Sequence, residues 1–376
     1  MKDSACPNCD SQKSKIDDLD FISALKEKTG KPVIGFLCCF APPELISAAG
    51  AIPYRITGKP GSDNTAADAY LEPYGCSYVR NIMARAAKKD FNALDGLVIS
   101  HSCDMVQRLY GIWTYYHPFP YSYLFNVPHQ ITPWSRRFFK RELHFFRESL
   151  EKFTGRQVSN KNLVKEINLF NQNRQLVRDI YKMRSVDNPR AGGSEILEIL
   201  LAGGRLPAPE FEILLREKIR LFAGRKPAKK IKKRILIWGS LIDHPALLKM
   251  IEKSGGSVVA DDTCIGFRTW ENDLPLTTDP YEGLTDHYFN NFLCPRTDRG
   301  PGLQKYNYLL DRIREYRVDG VVGYCISFCD PHKFDYPDLR DLLKAQGIPI
   351  LLIDDNYSFE PAEAIQTRLQ AFLEMI

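Results

Sequence analysis

A chain of 376 residues exceeds one comfortable domain, so two α/β lobes are expected. A net charge of +5, from 51 basic and 46 acidic residues spread along the chain, is too small to argue for nucleic acid. No apolar run approaches a membrane span and the first residues carry no signal-peptide core, so a cytoplasmic protein without a membrane role is expected.

Residues 1–30 form an N-terminal segment holding Cys6-Pro7-Asn8-Cys9, an isolated pair that reads as a frayed end before a metal knuckle. A first lobe is expected over 31–135. Pro32 to Leu37 is a strand, Pro42-Pro43-Glu44 opens a helix, and Ile52 to Ile56 begins the next strand. The run Asp95-Gly96-Leu97-Val98-Ile99-Ser100-His101 then reads as a buried parallel strand ending at Ser102-Cys103-Asp104.

Residues 136–231 read as a helical block and linker. Phe139, Leu143, Phe146, Leu150 and Phe153 recur at helical spacing, as do Leu163, Ile167 and Phe170. Gly155 separates these two helices, Ser159 or Asn160 caps the second, and further helices cover about 194–202 and 208–222. The basic run 225–234 reads as a solvated connector into the next lobe, ahead of the alternative of a phosphate site. That second lobe, 232–376, repeats the plan of the first: a strand from Arg234, a helix near Pro245–Lys253, a strand from Ser257, and a closing strand from Asp319-Gly320 to Cys329-Asp330. The fold class is therefore α/β, with two similarly wound parallel-sheet lobes flanking a helical block.

The chain is neither small nor marked for secretion, so its ten cysteines point to metal binding or catalysis before disulfides. Cys325 and one of Cys38 or Cys39 read as packing residues. Cys76 and Cys103 each precede a helix, where the positive end of the dipole favours thiolate, and Cys329 lies ahead of Asp330-Pro331-His332. Three thiols on three distant loops match neither a ferredoxin nor a zinc ribbon. Cys38, Cys264 and Cys294 also fall in loops near strand ends. His101, His129, His244 and His332 are loop histidines without a fixed proton-transfer partner. No nucleotide-binding glycine loop is present, so any ATP or nicotinamide chemistry is expected on another chain.

Over about residues 30–376 the sequence resembles the 2-hydroxyacyl-CoA dehydratase and benzoyl-CoA reductase family, of the 2-hydroxyglutaryl-CoA dehydratase D-component type. The marks are Pro43-Glu44-Leu45-Ile46, Ala48-Ala49-Gly50-Ala51-Ile52-Pro53, Cys76-Ser77-Tyr78-Val79-Arg80 and Ser102-Cys103-Asp104, followed by Val127-Pro128-His129, Ala260-Asp261-Asp262, Phe328-Cys329-Asp330-Pro331 and the stretch from Thr367 to Glu374. The resemblance implies two flavodoxin-like or Rossmann-like lobes clasping a 4Fe–4S cluster held by Cys76, Cys103 and Cys329, with one iron left open as a Lewis acid. It implies radical elimination of water, through a ketyl, from a 2-hydroxyacyl-CoA thioester. The implied partners are a homologous subunit in a heterodimer, an ATP-dependent iron–sulfur activator and the acyl-CoA. A related branch uses six cysteines to hold an 8Fe–9S double cubane in a homodimer that reduces small molecules. Cys38, Cys264 and Cys294 are at what look like its three additional places, and a benzoyl-CoA reductase-type subunit is a further alternative. Glu44 lies in a family motif and is a candidate substrate-binding residue, although an acid in the first turn of a helix explains it equally. No catalytic proton carrier is singled out.

Overall fold

The computed structural model describes residues 17–226, 233–298 and 303–376. Two four-stranded parallel sheets organise the chain. In the first, β1 (Val33–Leu37), β2 (Ile52–Arg55), β3 (Gly96–His101) and β4 (Tyr121–Asn126) lie in the order β2-β1-β3-β4. In the second, β5 (Lys233–Gly239), β6 (Gly256–Asp262), β7 (Gly320–Ile326) and β8 (Ile350–Asp355) repeat it as β6-β5-β7-β8. The α/β class and the paired plan agree with the sequence. The Cys-Asp strands do not close their lobes, however. Each is an inner strand, and β4 or β8 follows it on the sheet edge. These edge strands are only partly buried, which dilutes the apolar run that marks β3 and β7.

The repeated Asp-Gly has a structural reason. The Asp95 carboxylate accepts a hydrogen bond from the Val33 backbone N–H at 2.9 Å, and Asp319 accepts from that of Arg234 at 2.6 Å. Each aspartate thus ties the start of one central strand to the start of its neighbour. Order reverses between β1 and β3, and again between β5 and β7, which opens a crevice at the carboxyl ends of these strands.

The helices of the middle region pack against both lobes. Thr132 caps the helix Pro133–Thr154, accepting from Ser135 N at 3.1 Å, and Ser159 caps Asn160–Ser185, accepting from Asn162 N at 3.2 Å. Phe139, Leu143, Phe146 and Leu150 are fully buried in the core they share with β1 and β3. Each such side chain contributes roughly 1.5–3 kcal/mol of burial. The long helix Asn160–Ser185 reaches the second sheet, where Tyr181 donates to Asp261 at 2.5 Å.

The described ends of the basic run are held in place. Arg225 pairs with Glu195 at 2.8 Å, and buried Arg234 donates to the carbonyls of Tyr316 and Arg184. This corrects the reading of a wholly solvated connector; residues 227–232 lie outside the described residues. The lobes also meet directly. Gly58 N donates to Asp243 at 2.7 Å and Ser77 N to the Ser327 carbonyl at 3.4 Å. Gly58 has no room for a side chain, because a Cβ there would sit 2.2 Å from the Tyr357 hydroxyl.

Candidate functional site: a thiol-lined crevice

Seven of the eight described cysteines gather at the crevice, and all eight are free thiols. Cys38 and Cys39 follow β1 directly, with their sulfurs 3.8 Å apart. The Cys39 sulfur is also in hydrogen-bonding contact with Cys264, just past β6, and with Cys294. Cys38 adopts a left-handed φ of 70°, and so does Phe328, at 63°, ahead of Cys329. Non-glycine residues adopt this conformation only at a cost, and it turns the chain sharply at the end of β1 and beyond β7.

Cys76, Cys103 and Cys329 occupy equivalent local positions. Each is the N-cap of a helix: Ser77–Ala87, Asp104–Tyr116 and Asp330–Ala345 respectively. Backbone N–H groups of the first turn donate to each sulfur, from Tyr78 and Val79, from Val106, and from His332. The three lie within electrostatic range of one another, and each also reaches a thiol of the Cys39 group. Cys325 stands apart inside β7, packed in the hydrophobic core with Trp238 and Leu339. Its packing role is as the sequence suggested, but the expectation that Cys38 or Cys39 is likewise only packing is corrected, since both belong to the crevice. Cys39 is the thiol that sequence reasoning missed. Its doublet with Cys38 was the available signal.

The helix N-termini do not make these thiols acidic overall. Burial pushes Cys76 up, takes Cys103 up to about 12, and drives Cys329 well above its ordinary value, outweighing the N–H donors in each case. In the other group the hydrogen bond from Cys39 lowers Cys38 to about 6 against the cost of burial. Cys39 itself is raised well above its ordinary value by its contacts with Cys264, Cys294 and Cys38 and by burial. Cys76, Cys103 and Cys329 therefore hold their protons unless positive charge arrives between them.

Three buried arginines surround the thiols. Arg268 pairs with Asp262 at 2.8 Å and points Nη1 at the Cys264 sulfur from 3.9 Å. Arg296 donates to the backbone carbonyls of His101, Ser102, Val127 and Pro128, so it fastens the Cys103 loop to the Val127-Pro128-His129 segment. Arg55, at the end of β2, donates to the Cys264 carbonyl at 3.1 Å and lies over the Phe36 ring. The histidines have local roles. His332 Nδ1 is 3.5 Å from the Cys329 sulfur, His129 contacts the Arg296 carbonyl and the His101 ring, and His244 accepts from Ala246 N.

Glu44 has no solvent exposure. It is ion-paired with Arg174 and accepts from the Tyr288 hydroxyl at 2.7 Å. Arg174 and Tyr288 in turn line a cavity of about 60 Å³ with Cys39, Arg55, Phe170 and Trp270. Cys6 and Cys9 lie outside the described residues. Among the described residues no three His, Cys, Asp or Glu side chains form a shell around a single ion, and no helix is long and apolar enough to cross a membrane.

Fold and crevice together define a two-lobed α/β protein with a buried thiol centre. The family described as 2-hydroxyglutaryl-CoA dehydratase, D-component, matches residues 38–376. The chain belongs to this family and is a dehydratase-type enzyme subunit. It is 29% identical over 343 residues to one of the subunits of the benzoyl-CoA reductase of Thauera aromatica, covering 89% of each chain. It is 23% identical over 357 residues to the (R)-phenyllactyl-CoA dehydratase beta subunit of Clostridium sporogenes, covering 95% of each. The beta subunit of the lactoyl-CoA dehydratase of Anaerotignum propionicum is 25% identical over 362 residues, with 93% of each covered.

Proposed function

We propose that the chain is the iron–sulfur subunit of a 2-hydroxyacyl-CoA dehydratase, with Cys76, Cys103 and Cys329 holding a 4Fe–4S cluster. The observation that carries this reading is the set of three N-cap thiols, delivered by both lobes and each backed by backbone N–H donors. Such donors favour thiolate sulfur, and a coordinating thiol is deprotonated outright by the metal charge that burial here demands.

When bound, the cluster supplies a low-potential electron and an open iron acting as a Lewis acid toward the 2-hydroxyacyl thioester. The chain's own groups fix the sulfurs. Arg296 holds the Cys103 loop by its carbonyls, and His332 sits against the Cys329 sulfur. Cys76 is buried and Cys103 and Cys329 are partly so, which limits the access of water to the sulfurs. Glu44 is a positioning residue, orienting Arg174 and Tyr288 at the cavity wall. The proposed partners are a homologous subunit and an ATP-dependent iron–sulfur activator.

The contact of Cys39 with Cys38, Cys264 and Cys294 favours a second reading, a larger 8Fe–9S centre that uses both thiol groups. Iron and sulfide analysis of anaerobically purified protein decides between them: about four irons per chain are expected for the first and about eight for the second. A colourless preparation without iron would sink both. Activity assayed with the partner subunit, the activator and 2-hydroxyacyl-CoA thioesters then tests the reaction.

A further inference from the structure

Eight arginines are buried among the described residues. Arg85, Arg174, Arg184, Arg268 and Arg312 each face a carboxylate, from Asp18, Glu44, Asp261, Asp262 and Glu271 respectively. Among the described residues Arg55, Arg234 and Arg296 have no such ion pair. Arg234 is accounted for by its place at the amino end of β5, where Tyr316, Val186 and Arg184 carbonyls take its donors. Arg55 and Arg296 lie at the other end of the sheets, beside the thiols, and are only 6% and 8% exposed.

A buried guanidinium without a carboxylate partner is costly, so two of them flanking one crevice call for negative charge between them. The chain offers no carboxylate there; the groups facing the two guanidiniums are the thiols themselves, Cys38 toward Arg55 and Cys294, Cys38 and Cys103 toward Arg296. We propose that Arg55 and Arg296 are the charge partners of the group bound in the crevice, and that they make its reduced, more negative state accessible. This rests on the iron–sulfur reading above. A cubane with three thiolates carries a single net negative charge when oxidised and a double one after taking one electron from a low-potential donor. The two guanidiniums match that second state. Each is anchored at a different thiol loop, Arg55 on the Cys264 carbonyl and Arg296 on the Ser102 carbonyl, next to Cys103.

The test is a redox titration of the full chain, loaded anaerobically with iron and sulfide and followed by visible absorption and electron paramagnetic resonance. Arg55→Met and Arg296→Gln remove charge, whereas Arg55→Lys and Arg296→Lys retain it. Removing a cation makes reduction harder, so the neutral variants should lower the reduced-to-oxidised ratio at fixed potential by about tenfold, a negative shift of about 59 mV for a one-electron couple. The lysine variants should recover most of it. If a neutral variant takes up no iron while its lysine counterpart does, charge is required for binding and the proposal stands. It is overturned if the neutral variants titrate like the unsubstituted protein, if lysine shifts the potential as far as the neutral residue, or if lysine and neutral variants alike fail to load. Unsubstituted protein that takes up no iron overturns the reading beneath it as well. A normal cluster with unmoved variants overturns this inference alone.

Discussion

The two lobes share one strand order yet arm it differently. In both, the third strand runs out to a Cys-Asp step at the head of a helix, giving Cys103 and Cys329. The first strands diverge. β1 runs into Cys38 and Cys39, whereas β5 ends in Gly239 at φ 152°, where a Cβ would meet the Tyr324 carbonyl at 1.9 Å. The second strands diverge too: β6 leads to Asp262, Arg268 and Cys264, with the arginine neutralised, while β2 leads to Arg55 with no carboxylate beside it. What is common sets two of the three N-cap thiols, Cys103 and Cys329. What differs sets the charge around them.

The largest expected effect tests the common part. Cys103→Ser and Cys329→Ser should each lose most of the iron bound on anaerobic reconstitution, while Cys325→Ala, inside the β7 core, should retain it. Equal retention by all three would remove the equivalence between the lobes. The next effect tests the difference. Asp262→Ala strands the buried Arg268 and should cost about 3–5 kcal/mol by urea unfolding. Arg55→Met in metal-free protein should cost little or even stabilise, because no partner loses its ion pair. Equal losses would mean that Arg55 has an anion after all.

Acid should then act on both lobes. At Asp262 burial opposes ionisation, but Arg268 and Tyr308 outweigh it and hold the carboxyl below its ordinary 3.8. Asp18, which pairs with Arg85 of the first lobe, is likewise raised by burial and lowered further by Arg205, Arg85 and Tyr54. A depressed carboxyl contributes stability that is fully present above its unfolded value and disappears as pH falls through the folded one. Urea midpoints should therefore fall away below pH 3.8, and Asp18→Asn should flatten that fall. The smallest effect concerns the Asp-Gly ties. Asp95→Ala and Asp319→Ala should each cost about 1 kcal/mol in unfolding experiments, matched across the lobes. Asp95 also pairs with Lys26 at 2.7 Å, but that pair is partly exposed and adds little.

Much of the architecture was legible because it is local. Strand runs, proline-led helices and capping residues such as Ser159 are decided within a few residues, and the doubled Asp-Gly…Cys-Asp signature marked the two halves. The edge strands β4 and β8 were missed because half-buried strands do not need an unbroken apolar run. The acidity expected of Cys76 and Cys103 at their helix N-termini also failed, since sequence gives the favourable dipole but not the burial that overrides it.

By itself, the sequence determined the strand and helix plan, and placed Cys76 and Cys103 at the heads of helices and Cys329 just past a strand. Only the tertiary structure decided that seven thiols from both lobes share one crevice, that Cys39 joins Cys38 to Cys264 and Cys294, and that Arg55 and Arg296 face them without a carboxylate partner. The physical reason is range. Capping and periodicity act over one or two turns of chain, whereas burial and Coulomb interaction depend on which distant segments the fold brings within a few ångströms.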